Sequence, residues 1–247
     1  IIGAGAGAST AAGIQYGGKR FTDNFGEFIE KYGVHYMTDM YAAGFYPYPS
    51  EEAKWGYWSK HALMNRFDPP ALPLYTKLYD IVKSKEYFVL TTNVDHQFYK
   101  AGFDEKRIFA TQGDYGKIQC QKACHSKTYD AKELFRKMDE ARKDCLIPSE
   151  LVPKCPVCGG NMAMNLRCDN YFVEDEAWHE AADRYACFLE QNKDKKVVLL
   201  ELGVGFNTPI IIRFPFEKMV RENSSYSLIR LNMDEAVVPE SFGKRAI

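Results

Sequence analysis

The chain has 247 residues, of which 46% are hydrophobic and 14% are aromatic, and its formal net charge is −1. That is enough to bury a sizeable core in one large domain, and the balanced charge gives no basis for general electrostatic binding to nucleic acid or anionic lipid. No apolar run reaches the roughly 18 residues that a membrane-spanning helix needs. Seven cysteines is an odd number, which fits a reducing, cytoplasmic setting better than a disulfide framework.

The opening segment predicts a buried strand that runs into a glycine-rich turn. Ile1 and Ile2 are apolar, and only small residues follow over 3–12. Small residues let a backbone approach a ligand closely, and a helix beginning near Ser9 would direct its N–H groups at phosphate. Gly-x-Gly runs also form plain tight turns, so this segment alone leaves both interpretations open.

Helices and strands alternate through most of the remaining chain. Helices are indicated by apolar residues on one helical face, and buried strands by short apolar runs with β propensity. Up to residue 112 we predict a helix over 23–32, short helices and loops over 44–73, a helix over 72–82, a strand over 87–92, a short helix over 95–101 and a strand over 107–111. Beyond residue 168 we predict a helix over 176–191, a strand over 197–202, a helix over 209–222 and a strand over 226–231.

This alternation predicts right-handed βαβ units and a mostly parallel sheet with helices on both faces. Ligands of such sheets bind beyond the carboxyl ends of the strands. Five predicted strand ends carry small or amide residues and would form one rim: Gly5, Gly7 and Ser9; Asn93 and Asp95; Gln112; Gly203, Gly205 and Asn207; and Asn232.

Two cysteine pairs interrupt the alternation. Cys120 and Cys124 are followed, after thirty intervening residues, by Cys155 and Cys158, and two glycines come directly after the second pair. Four thiolates at this spacing can close a tetrahedral zinc site, which has no open position for substrate and is therefore structural. His125 could replace a cysteine ligand, but two complete pairs already fill the site.

The intervening and neighbouring residues carry weaker signals. The Lys- and Glu-rich stretch over 130–143 predicts a solvated helix. Cys168 is expected to be a core or surface thiol, although it could compete as a ligand. We expect His96 to be an ordinary helix residue, with a role as a base as the weaker alternative.

Several motifs, taken in chain order, resemble those of the sirtuin family, and the match covers nearly the whole chain. They are residues 5–9 (Gly-Ala-Gly-Ala-Ser) with Gly13-Ile14, residues 91–95 (Thr-Thr-Asn-Val-Asp), Gln112-Gly113 ahead of the first cysteine pair, residues 203–205 (Gly-Val-Gly) and Leu231-Asn232. The resemblance implies a Rossmann-like NAD-binding domain (1–14, 75–116 and 169–247), a helical insert or cofactor-binding loop (15–74) and a zinc-binding module (117–168). It implies NAD as substrate and structural Zn²⁺, with NAD held by Gly5, Ala6, Gly7, Ser9, Arg20, Asn93, Asp95, Gln112, Gly203, Gly205, Asn207 and Asn232.

The departures from the family pattern are also informative. Gln112 stands where the family carries histidine, and residues 203–205 lack the hydroxyls of the family's Gly-Thr-Ser. The stretches 20–25 and 41–55 look like those of the macrodomain-linked (class M) microbial sirtuins, a branch associated with protein ADP-ribosylation. That resemblance implies a lipoylated carrier protein as acceptor and a macrodomain hydrolase as functional partner.

The chemistry of residue 112 separates two activities of the family. Both begin with cleavage of the bond between nicotinamide and ribose, for which the resemblance implies Asn93, Asp95 and Gln112 as catalytic residues. Lysine deacylation also needs a base that takes a proton from a ribose hydroxyl. An amide side chain does not titrate in the working range, so Gln112 can only hydrogen-bond the sugar.

We therefore expect an NAD-dependent protein ADP-ribosyltransferase. Two alternatives remain open from the sequence. One is an NAD-dependent lysine deacylase in which another group or a water replaces the histidine. The other is a non-catalytic sensor of NAD or ADP-ribose, consistent with the lost hydroxyls at Val204 and Gly205.

Overall fold

A computed structural model describes residues 1–247. Its contacts divide the chain into two compact units. The first unit comprises residues 1–13, 71–114 and 174–247, and the second comprises residues 14–70 and 115–173.

The first unit contains a five-stranded sheet in which every pair of neighbouring strands is parallel. Its order is β3-β2-β1-β7-β8, so the first strand lies in the centre. The strands are β1 (Ile2–Ala4), β2 (Val89–Thr91), β3 (Ile108–Ala110), β7 (Val197–Leu202) and β8 (Tyr226–Leu231). The parallel sheet that the alternating pattern predicts is confirmed.

Helices cover both faces of this sheet. Successive strand residues point to opposite sides, so the apolar strands present side chains to both layers of helices. Val89 faces a core that includes Tyr75 and Phe98, whereas Leu90 faces a core that includes Ile212 and Phe216. The helices of this unit are α1 (Ala6–Ala11), α5 (Pro73–Val82), α6 (Gln97–Lys100), α8 (Glu176–Asn192) and α9 (Arg213–Glu222).

Local sequence accounts for several of these helix boundaries. Pro73 occupies the first turn of α5, where its missing N–H costs nothing. The Asp175 side chain accepts a hydrogen bond of 2.9 Å from the N–H of Trp178 and caps α8. Gly102, with φ of 89°, follows the end of α6 as expected of a helix-terminating glycine. Helix α1 begins three residues earlier than expected, at Ala6, and α9 begins four residues later, at Arg213.

The second unit combines helices with a three-stranded sheet of order β5-β4-β6. Strands β4 and β5 are antiparallel. The elements are α2 (Gly18–Tyr32), α3 (Met40–Gly44), α4 (Glu51–Ala62), a π-helical turn (Leu63–Phe67), β4 (Gly113–Cys120, which begins at the end of the first unit), β5 (Thr128–Asp130), α7 (Lys132–Ala141) and β6 (Met162–Leu166).

One expectation for this unit is wrong in part. The stretch over 130–143 does form a helix, α7, but it is not simply solvated. Phe135 and Met138 are completely buried, because their spacing of three residues places them on one face of the helix. No helix in either unit is both long enough and apolar enough to cross a membrane.

Candidate active site and metal centre

The carboxyl ends of the parallel strands are tied to one another by hydrogen bonds. Strand order reverses beside β1, since the chain continues to β2 on one side and returns as β7 on the other. The Gly5 N–H donates to the Leu202 carbonyl (2.9 Å) and the Gly7 N–H donates to the Gly203 carbonyl (3.0 Å). At the next strand end, the Asn232 amide donates to the Val204 carbonyl (3.0 Å). This reversal point is where open parallel sheets bind ligands.

Gly7 and Gly203 are required by the close approach of the two turns. A Cβ added at Gly7 would lie 2.7 Å from the Cα of Gly203, and one added at Gly203 would lie 2.4 Å from the backbone nitrogen of Ala8. Gly203 also has a φ of 57°, in the region that favours glycine. The glycine pattern therefore brings the β1 and β7 turns together, and Ala6, Gly7, Gly205 and Asn207 are left exposed at this edge.

A buried polar network fixes the residues that follow β2. The Asn93 amide donates to the Gly5 carbonyl (3.0 Å) and lies 3.4 Å from the Tyr75 hydroxyl. The Tyr75 hydroxyl is 2.9 Å from Ser9 Oγ, which donates to the carboxylate of Asp95. The structure thus brings together Asn93, Ser9 and Asp95, and it adds Tyr75, which the sequence indicated only as one residue of an apolar helical face.

Burial is the main influence on the acidity of this network. Desolvation raises the pKa of Asp95 above its usual range, although hydrogen bonds from Ser9 and from the Gln97 N–H oppose the shift. Desolvation also raises the pKa of Tyr75 far above the usual value for tyrosine. Tyr75 therefore stays neutral at physiological pH and can act only through hydrogen bonds.

Two side chains at this edge keep hydrogen-bonding atoms that no protein group uses. The Asn93 amide nitrogen and backbone N–H are both engaged, but its side-chain oxygen has no protein partner. Gln112, which follows β3, is half-buried and its side chain makes no hydrogen bond within the chain. Half-buried amides with spare donors and acceptors fit the hydroxyl groups of a ribose.

His96 departs from its expected role as a helix residue. It precedes α6 in the left-handed conformation, with φ of 64° and ψ of 16°. Its Nδ1 lies 3.1 Å from the carboxylate of Asp114, and its ring stacks on that of Tyr99 at 4.0 Å. The interpretation of His96 as an ordinary helix residue was wrong because helix periodicity does not reveal a left-handed residue at the boundary.

Arg20 lies in the second unit, where its guanidinium is occupied by protein groups. It donates to the side-chain oxygen of Asn65 (2.8 Å) and to the carbonyls of Gln15 (2.9 Å) and Met64 (3.3 Å). These bonds connect the start of α2 to the π-helical turn. A phosphate contact by Arg20 stays a prediction from the resemblance.

The four cysteines of the two pairs converge, as their spacing predicts. All four Sγ atoms lie within 4.8 Å of one another. The Cys120–Cys158 and Cys124–Cys155 sulfur distances are 3.7 and 3.6 Å. Zn–S bonds of about 2.3 Å in a tetrahedron place sulfurs roughly 3.8 Å apart, so the cluster fits a structural Zn²⁺.

The neighbouring histidine and cysteine lie outside the four-sulfur cluster. His125 Nδ1 is 3.1 Å from Cys124 Sγ and its Nε2 is 2.8 Å from the Tyr129 hydroxyl. This places His125 where it can hydrogen-bond a thiolate ligand, a common supporting arrangement around bound metals. Cys168 is exposed and does not belong to the cluster.

Comparison with known proteins gives relatives along the whole chain. It is 40% identical to a protein ADP-ribosyltransferase of Staphylococcus aureus over 248 aligned residues, which cover all of this chain and 78% of that protein. It is 31% identical to a probable bifunctional ADP-ribose hydrolase/ADP-ribosyltransferase of Fusarium oxysporum, covering 97% of this chain and 41% of that protein. No family model matches the chain.

Solved structures share the fold. The crystal structure of a Sir2 homologue in complex with NAD superposes with a TM-score of 0.58 at 17% identity, covering 100% of this chain and 81% of that one. A mutant Sir2 homologue bound to ADP-ribose superposes with a TM-score of 0.56 at 16% identity, covering 93% and 78%. The fold is therefore that of the sirtuins.

Proposed function

Because the chain belongs to the family of the S. aureus protein ADP-ribosyltransferase, we propose that it cleaves nicotinamide from NAD and transfers ADP-ribose to a protein. The observation that carries this proposal is 40% identity along the entire chain to a protein of that name. The sirtuin fold of the chain supports it, since one structural neighbour was crystallised with NAD.

Asn93 is the side chain best placed to organise the ribose. NAD, as substrate, supplies an anomeric carbon whose bond to nicotinamide breaks through a cation-like transition state. The side-chain nitrogen of Asn93 donates to the Gly5 carbonyl and the Tyr75 hydroxyl. These two hydrogen bonds fix the orientation of the amide and leave its oxygen without a protein partner. Preorganised polar groups of this kind stabilise developing charge without reorganising. Asp95 stiffens the network through Ser9.

Gln112 restricts which second step can follow. Its amide can hydrogen-bond a ribose hydroxyl but cannot remove a proton from it, and a positioned base is typically worth 10²–10⁴ in rate. Transfer of ADP-ribose to an incoming nucleophile does not require that ribose hydroxyl to be deprotonated. The substitution at residue 112 therefore favours transfer over lysine deacylation.

The acceptor and the functional partner follow from membership in the macrodomain-linked branch, which is also part of this proposal. The acceptor is a lipoylated carrier protein, and a macrodomain hydrolase removes the modification. In support, the Fusarium relative combines an ADP-ribose hydrolase and an ADP-ribosyltransferase in its name, and this chain spans only 41% of its length.

A transfer assay with labelled NAD tests the proposal. The wild type is incubated with a lipoylated carrier protein, and the same carrier without lipoate is the acceptor control. Label should appear on the lipoylated protein only. Label on neither protein, or acetyl-ADP-ribose formed from an acetylated peptide, would contradict the proposal, and the second result would indicate a deacylase.

Two substitutions probe the site in the same assay. Asn93→Ala should lower nicotinamide release by roughly 10²-fold or more, as loss of a preorganised polar group does elsewhere. Asn223→Ala is the matched control, since its amide only bonds the Met219 carbonyl at the end of α9. If Gln112→His alone gives vigorous deacylation, residue 112 is the switch between the two activities.

A further inference from the structure

We propose that the imidazole of His96, oriented by Asp114, accepts the proton of the nucleophile that attacks the ribose and takes none from a ribose hydroxyl, the step that lysine deacylation would need. The inference rests on the proposed ADP-ribosyl transfer and adds the chemical class of the acceptor. That acceptor is a neutral group with a proton to lose, such as a hydroxyl, thiol or amine.

The first observation is the position of the pair. His96 directly follows Asp95, and Asp114 lies two residues after Gln112. Strands β2 and β3, which precede these segments, are adjacent and in register at Thr91 and Ala110. The His96–Asp114 pair therefore connects the two strand ends that carry the proposed ribose-binding residues. In agreement, the charge of Asp114 contributes to raising the pKa of Asp95.

The second observation is the arrangement of the imidazole. The carboxylate of Asp114 is 3.1 Å from Nδ1, so the proton of a neutral ring resides on Nδ1 and the lone pair on Nε2. Nε2 has no partner within the protein, and a quarter of the side chain is exposed. A carboxylate that fixes the tautomer and leaves the far nitrogen free is the arrangement of an oriented general base.

The third observation is the backbone of His96. Its φ of 64° lies in the left-handed region, where glycine is favoured and non-glycine residues are uncommon. Glycine would adopt that conformation more readily than histidine does, and the histidine ring is held there by Asp114 and by stacking on Tyr99 at 4.0 Å. Such conformations cluster at functional sites.

The proposed step balances without any added reagent. The bond between the anomeric carbon and the nicotinamide nitrogen breaks, and its electron pair stays with nicotinamide, which leaves neutral. A bond forms between the anomeric carbon and the nucleophile. The proton of the nucleophile passes to Nε2 of His96 and then to water.

Small nucleophiles test this step without an identified acceptor protein. Methanol must lose a proton when it attacks, whereas azide carries no proton. The protein is incubated with NAD and either methanol or azide. The products, methyl ADP-ribose and ADP-ribosyl azide, are measured by chromatography. For His96→Gly, which takes the left-handed backbone without strain, methanol transfer should fall by roughly 10²-fold or more. Azide transfer should stay within about threefold of the wild type, because the cost of losing a base applies only where a proton is removed.

Two further variants distinguish a role of His96 in proton transfer from a structural role, in which its hydrogen bond to Asp114 only connects the segments that follow β2 and β3. Asn tolerates the left-handed conformation and can still hydrogen-bond Asp114, so His96→Asn should keep the attachment and nevertheless lose methanol transfer. Asp114→Asn should lower methanol transfer and spare azide transfer, because Asp114 acts through the imidazole.

Each outcome decides between the ideas. Methanol transfer at the wild-type rate in His96→Asn would overturn the inference and leave His96 as a structural contact. Equal loss of methanol and azide transfer in all three variants would also overturn it. If the wild type released no nicotinamide in the presence of either nucleophile, that result would instead contradict the proposed function, and with it this inference.

Discussion

Two polar clusters of this protein differ in how their groups are satisfied. In the first unit, Ser9, Tyr75, Asn93 and Asp95 bond to one another and to the Gly5 carbonyl. In the second unit, four cysteine sulfurs face each other within 4.8 Å. The hydroxyl and carboxylate network completes itself with protein atoms, whereas thiols are weak donors and acceptors that need an ion to become strong mutual ligands.

The two clusters therefore differ in whether they depend on something other than the protein chain. The network should be stable by itself, and its loss should affect rate more than folding. The thiol cluster should be coupled to metal binding, because much of the free energy of a structural zinc site appears as folding free energy.

The largest effect is expected from Cys155→Ser. Removing one of four ligands should lower zinc content and destabilise the second unit by several kcal/mol, since structural zinc contributes about 10 kcal/mol or more in small zinc domains. Metal analysis and thermal unfolding measure this. Cys187→Ser is the matched control, because Cys187 is exposed and is not one of the four clustered cysteines. Full zinc content and an unchanged Tm in Cys155→Ser would show that the cluster is not a metal site.

His125→Ala should produce a smaller effect on the same cluster. His125 contacts Cys124 Sγ through Nδ1 and Tyr129 through Nε2, so it supports a ligand without being one. Groups in this position are typically worth 10–100-fold in metal affinity. Competition with a zinc chelator measures the affinity. Complete loss of zinc from this variant would mean that His125 is a ligand.

Tyr75→Phe probes the other cluster by removing a single hydroxyl. Asn93 and Ser9 each lose a partner, so nicotinamide release should fall about tenfold, equivalent to about 1.4 kcal/mol. Stability should fall by only about 1 kcal/mol. Tyr87→Phe is the matched control, since its hydroxyl is also bonded, to the Asp104 N–H at 3.0 Å. An equal loss of activity in both variants would remove any special role for Tyr75.

The smallest effect concerns the pH dependence of stability. The folded-state pKa of Asp95 is raised by burial, so its contribution to stability is fully present below the unfolded value of about 3.9. That contribution is lost as pH rises through the higher folded-state pKa. Relative to Asp95→Asn, the wild type should therefore lose unfolding free energy as pH rises from about 4.

Urea unfolding across this range measures the difference. Asp183→Asn, at an exposed position on α8, should follow the wild type. A difference that grows in the opposite direction would mean that hydrogen bonds outweigh desolvation at Asp95.

Much of the fold could be read from local patterns. The strands over 197–202 and 226–231 were predicted with the bounds that the structure gives them, because short, mostly apolar segments between helical stripes are typical of buried parallel strands. The three-stranded sheet of β4, β5 and β6 was missed. Strands β5 and β6 have three and five residues, too few for a clear alternation.

Some residues of the candidate site could also be predicted from the sequence, and others could not. Ligand type and spacing identified Cys120, Cys124, Cys155 and Cys158, since each pair comes from one short segment. Asn93, Asp95 and Gln112 entered through motifs at strand ends. Nothing local indicated Tyr75, or that Asp114 would hold His96.

The sequence by itself determined the elements, their apolar faces and the metal-binding residue types, because these depend on neighbours a few positions away. Tertiary structure alone decided which polar groups meet. Ser9 contacts Tyr75 across 66 positions and Asp95 across 86, and their contact exists only because parallel strands bring their carboxyl ends to one edge. Burial at that edge raises the pKa of Asp95. Hydrogen bonds at the same edge engage the amide nitrogen of Asn93 and leave its side-chain oxygen without a protein partner.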